Sequence, residues 1–125
     1  MIDHSQRRDY FRLEASSTPD WVRVLDAHGE VVEAIEAHIL DVSATGLRLH
    51  VREGLVATGT RLAVRFRVAD EAFAARGRVV WTDVSEFSKT QLAGLQFDDD
   101  EPLHQRLVRV IYDAQRDQLR RRAPR

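Results

Sequence analysis

The stretch LAVRFRV, residues 62–68, sets Leu62, Val64, Phe66 and Val68 on one side of an extended chain and Ala63, Arg65 and Arg67 on the other. Strict alternation of this kind predicts a strand with one buried and one wetted face. LRLHV, residues 47–51, reads the same way. Working outward, Trp21–Leu25 forms a shorter period-two segment, followed by a turn at His28-Gly29 and a strand within Val31–Asp41. Phe73, Ala75, Gly77, Val79 and Trp81 alternate against Ala74, Arg76, Arg78 and Val80, and Ala93, Leu95 and Phe97 mark a last strand. Six strands with short links predict an antiparallel sheet. A sheet of that size in a small chain hides its edges by closing, so the expected fold is mostly β, a six-stranded antiparallel β-barrel.

The two ends differ from this pattern. Residues 1–20 lack a sustained apolar period and finish in the turn formers Ser16-Ser17-Thr18-Pro19-Asp20, so they are read as a flexible N-terminal arm. Residues 21–98 are assigned to the barrel and 99–125 to a C-terminal α-helix and tail. Asp98-Asp99-Asp100-Glu101-Pro102 places acids and a proline where a helix starts, and Leu103, Leu107, Val110, Ile111 and Ala114 follow a helical stripe. Arg116, Arg120, Arg121 and Arg122 complete a charge order that suits the dipole of one helix from about 102 to 121.

At 125 residues one core suffices, and such a chain should bury roughly 65–70% of its unfolded surface. The net charge of −1, from 19 basic and 20 acidic groups, argues against a general polyanion binder, so any anion site is local. All the basic residues but Lys89 are arginine, which a GC-rich codon bias explains as well as function does. The absence of cysteine excludes disulfides, thiolate chemistry and cysteine-bound zinc. No apolar run approaches the ~18 residues of a membrane span, and the charged N-terminus is unlike a signal peptide, so a cytoplasmic protein without membrane insertion is expected.

Catalytic and metal signatures are weak. The acids of residues 98–101 run consecutively, and carboxylates in a row seldom converge on a hard cation, so they read as a helix start. His4, His28, His38, His50 and His104 are scattered, with no i, i+4 helical pair and no HExxH spacing, so surface or structural roles and no metal site are expected. Ser43 lies in no nucleophile signature. The chain therefore reads as no enzyme, with no catalytic residues and no cofactor.

Two constellations carry chemistry. The first is Arg8-Asp9-Tyr10-Phe11-Arg12, an RxxxR preceded by Arg7; the second is Asp41-Val42-Ser43-Ala44-Thr45-Gly46, a DxSxxG between two expected strands. Taken alone, the first is also a plain basic terminus, and the second an ordinary hairpin connection in which Gly46 permits a positive φ. Their order, followed by the late strands Gly77-Arg78-Val79-Val80-Trp81 and Gly94-Leu95-Gln96-Phe97, resembles the PilZ domain family over nearly the whole chain, and QRRDYFR with the arginine-rich last helix resembles its flagellar-brake members. One departure is Thr45, where many members carry the first of two glycines.

The resemblance implies a split-barrel-like fold and a receptor for the bacterial second messenger cyclic di-GMP. It implies ligand contacts from Arg7, Arg8, Arg12, Asp41, Ser43 and Gly46, with Arg7 going with capture of an intercalated ligand dimer. Trp81 is read either as a core residue or as an apolar wall of that site. The chemistry fits the residue types: a guanidinium pairs with guanine O6 and N7, stacks on a purine, or chelates phosphate oxygens. Asp41 can accept from guanine N1–H and the 2-amino group. Ligand binding is expected to alter the arm and so regulate a protein partner, such as a component of the flagellar motor or of a polysaccharide synthase, with motility or biofilm output. Two other readings remain: a degenerate PilZ domain serving as an interaction module, and a small barrel for single-stranded nucleic acid. Phe66, Phe73 and Trp81 on the apolar sides of their strands oppose the latter, because stacking platforms need exposed aromatics.

Overall fold

The structure, a computed structural model, describes residues 12–85 and 88–122. Arg7 and Arg8 lie outside the described residues. Among these residues eight strands precede one helix: β1 (Leu13–Ser17), β2 (Trp21–Leu25), β3 (Val31–Ile35), β4 (Ala37–Val42), β5 (Gly46–Arg52), β6 (Arg61–Val68), β7 (Glu71–Val84), β8 (Thr90–Phe97) and α1 (Glu101–Arg122). They form one sheet in the order β1-β4-β5-β8-β7-β6-β2-β3, and every neighbouring pair is antiparallel.

Eight strands replace the expected six for two reasons. The segment expected as one strand within Val31–Asp41 is divided at Glu36: β3 pairs with β2, whereas β4 pairs with β1 and β5. Residues assigned to the arm also contribute β1, whose partner is β4. LEASS has little strand character of its own, and pairing in the tertiary structure overrides propensity there. No ladder joins β1 to β3 among the described residues, so the sheet is not a hydrogen-bonded closed barrel.

Its links nevertheless force it to curl. In a flat sheet β3 and β4 would lie six strand spacings apart, about 29 Å at roughly 4.8 Å each. Glu36 alone connects them, and one intervening residue spans at most about 7 Å. The sheet must therefore roll up until these strands meet, which encloses the apolar face. Phe66 stacks on Phe73 with ring centroids 5.7 Å apart and on Phe97 at 6.0 Å. Leu103, Leu107 and Ile111 of α1 complete this core.

Helix α1 starts where its acids direct: Asp100 Oδ1 accepts the Leu103 amide at 3.1 Å, filling the place of an N-cap. Just before it, Arg61 of β6 grips Asp98 through both guanidinium ends, with Nη1 3.0 Å from Oδ1. Among the described residues no helix is both long and apolar enough to cross a membrane.

Two outcomes follow from these local forces. The β6–β7 turn holds Ala69 at φ 50° and Asp70 at φ 69°, the left-handed pair that a two-residue hairpin requires and that an L side chain resists. Ala69→Gly is expected to raise stability by about 0.5–1 kcal/mol in urea unfolding; a loss of stability would contradict the strain. The second concerns Asp98, whose pKa the Arg61 hydrogen bonds hold below its ordinary 3.8. A depressed folded pKa means that the stabilisation is present above the unfolded pKa and disappears as pH falls through the folded one. Carboxyl NMR titration should give Asp98 a midpoint below 3.8, rising towards that value in Arg61→Ala; an unchanged midpoint in the variant would remove Arg61 as the cause.

Candidate functional site

Strand register gathers the motif residues on the outer face. Glu14 of β1 stands opposite Asp41 of β4, Asp41 opposite Arg48 of β5, Arg48 opposite Gly94 of β8, and Gly94 opposite Trp81 of β7. The adjoining Val42, Leu47, Leu49, Ala93 and Leu95 are core residues, so this transverse row faces away from the core.

Asp41 is the buried centre of the row, with 1% of its surface exposed. Arg12 Nη1 donates to Oδ1, while Arg48 Nε donates to Oδ2 at 2.6 Å and Arg48 Nη2 joins it. Each carboxylate oxygen thus has its own guanidinium. Arg12 is held a second time, because its carbonyl accepts from Gln115 Nε2 of α1 at 3.1 Å. The arginine that ends RxxxR, the acid that begins DxSxxG and the helix are thereby physically joined.

The rest of the second motif acts locally. Ser43 is buried; its amide donates to the Gly46 carbonyl at 2.8 Å, its hydroxyl donates to the same oxygen at 3.2 Å, and that hydroxyl accepts the Thr45 amide at 3.3 Å. These bonds close the β4–β5 turn. Gly46 is not among the residues of positive φ, contrary to the hairpin expectation. Its side-chain space is instead filled by β8, since a Cβ there would collide with the Leu95 carbonyl oxygen.

Trp81 departs from the core expectation. The register between β7 and β8 shifts between Val79 and Trp81, and one extra residue reverses the side to which the next side chain points. Trp81 is only half-buried, and its indole covers the space where a side chain on Gly94 would stand. An aromatic surface is thus placed beside Arg48 and Arg12. Together with Ser43, Gly46 and Gly94 these residues line a crevice of about 20 Å³, room for about one water.

The structure therefore brings Arg12, Asp41, Ser43, Gly46 and Trp81 together. Sequence reading passed over Arg48 and Gln96, a further lining residue. A signal for Arg48 existed: pairing Val42 with Leu47 across the motif puts Asp41 opposite Arg48. A test of the turn is Gly46→Ala, expected to lower stability by about 1–3 kcal/mol through overpacking against β8; unfolding in urea at wild-type midpoint would show that β8 yields without cost.

The sequence matches the PilZ domain family over residues 6–113. Among solved structures the chain is similar to Bacillus subtilis inhibitor of motility MotI/DgrA, at 19% identity and TM-score 0.65, covering 90% of this chain and 52% of that one. It is also similar to the PilZ domain of YcgR from Escherichia coli, whose structure holds c-di-GMP, at 17% identity and TM-score 0.62 over 93% and 97% of the two chains. The PilZ domain of CeSA from a cellulose-synthesizing bacterium follows at 14% identity and TM-score 0.55, over 83% and 97%. The chain spans about half the length of MotI/DgrA. No curated protein matches it in sequence. At such identities the structural likeness speaks for the fold, and the sequence match, which covers both motifs and the start of α1, speaks for descent: the chain belongs to the PilZ domain family.

Proposed function

We propose that this chain is a non-catalytic receptor for cyclic di-GMP, binding it on the outer face around Arg12, Arg48 and Trp81. The observation that carries the reading is the meeting of the two motifs: Arg12 of RxxxR is ion-paired to Asp41 of DxSxxG beside an aromatic plane. Guanine needs a flat surface and donors to its O6 and N7, and phosphate needs guanidinium groups. This face supplies both kinds of group.

The geometry refines the roles. Asp41 is covered by its two arginines, so in this state it positions guanidinium groups rather than accepting from guanine. Ser43 and Gly46 shape the turn from which Asp41 projects. A crevice of about 20 Å³ is too small for a two-guanine ligand, so binding occurs over the face and displaces Arg12 from its present place. Arg8 is four residues before Arg12, within about 14 Å along an extended chain, and with Arg7 it would add guanidinium groups from the other side of the ligand. Displacing Arg12 would also disturb its bond to Gln115, giving the ligand a route to α1 and to a protein partner. The likeness to an inhibitor of motility favours motility as the output.

Isothermal titration with cyclic di-GMP, with GTP as control, tests this. The wild type should bind selectively, Arg12→Ala should bind about tenfold or more weakly through loss of charge-assisted bonds, and two ligands per chain are expected with Arg7 intact. A folded wild type that binds neither nucleotide would overturn the receptor reading and leave an interaction module in its place.

A further inference from the structure

Histidines that look scattered along the sequence are not all scattered in the fold. His38 of β4 and His50 of β5 stand directly opposite each other in the β4–β5 ladder. Directly opposed residues project to the same face with Cβ atoms about 4.5–5.5 Å apart. The flanking Ile39, Leu49 and Val51 are buried in the core, so both imidazoles lie on the other face. Both are half-buried, and both line one groove of about 950 Å³.

We propose that His38 and His50 form a two-histidine site for a divalent transition-metal ion of the Zn(II) type. From such Cβ positions one nitrogen of each ring can reach the roughly 2.0–2.1 Å that a shared zinc requires. Imidazole selects borderline ions such as zinc, nickel and copper, whereas magnesium and calcium require oxygen ligands. The local field favours a cation: Asp20, Glu33 and Glu36 line the same groove against Arg52, although Asp20 is shared with Arg65 at 3.3 Å and Arg67 at 3.6 Å. Among the described residues no cluster of three or more histidines, cysteines or carboxylates is assembled for a metal. Water fills the remaining coordination positions, and the site is accordingly reversible rather than structural.

Its position ties it to the candidate ligand site without depending on it. The His38–His50 pair is the outward rung next to Asp41–Arg48 on the same two strands, about 7 Å away along the chain. A metal across the first rung clamps the strands that present the second.

The test is calorimetric titration of tag-free, chelator-treated chain with zinc chloride. One ion per chain is expected, with affinity lower by about tenfold or more in His38→Ala and in His50→Ala, since even outer-shell changes cost metal sites that much, and unchanged affinity in His28→Ala. Imidazole ¹⁵N resonances of the wild type give a reading that needs no variant: those of His38 and His50 should shift on zinc addition while those of His28 and His104 stay. Absence of saturable binding, wild-type affinity in both alanine variants, or shifts confined to other histidines would overturn the proposal.

Discussion

A carboxylate with 1% of its surface exposed has to be neutralised where it stands, and the arrangement around Asp41 answers that demand. Losing water from an ion is costly, and the cost is met only when each oxygen finds a charged donor in good geometry. Arg12 takes one oxygen and Arg48 the other. The consequence reaches beyond the pair, since Arg12 immediately precedes β1, Asp41 and Arg48 lie on β4 and β5, and the Arg12 carbonyl is tied to Gln115 of α1. One buried charge thus joins the N-terminal edge strand of the sheet, the β4–β5 hairpin beside it and the helix. Such a network adds little net stability compared with apolar packing, and its value lies in holding two guanidinium groups in set directions.

The outer face owes its aromatic surface to a second departure from regularity. Had β7 kept strict alternation through Val80, Trp81 would have followed Val79 into the core. The bulge turns it outward, and glycine at position 94 makes the space for it. A bulge interrupts a ladder, but here it sets a flat ring on the far side of β8 from Arg48. The core is served by other aromatics, Phe66, Phe73 and Phe97.

Much of this was legible in the residues. LAVRFRV and LRLHV contain enough alternation to declare β6 and β5, and the acids, proline and apolar stripe after Asp98 declare α1 to within a residue or two. The two motifs named Arg12, Asp41, Ser43 and Gly46, and folding gathers them with Trp81, for which a core place was the other expectation. What escaped depends on pairing partners distant in sequence. β1 exists because β4 lies beside it; the corner at Glu36 interrupts a run with no clean period; and a bulge is invisible to a period-two count. Arg48 and the His38–His50 pair become visible only when hairpin register is known, because residues 12 apart carry no helical or motif spacing.

The central claim is that the ligand engages the outer row running from Arg12 to Trp81. The measurement that tests it most directly is an NMR titration of ¹⁵N-labelled chain with cyclic di-GMP, following the Trp81 indole N–H, the Gly46 and Gly94 amides and the Arg12 and Arg48 side chains. The account predicts saturable shifts concentrated on these groups, with Trp21 and the edge strand β3 left unchanged. Shifts centred elsewhere, or a silent Trp81 indole at saturation, would contradict it.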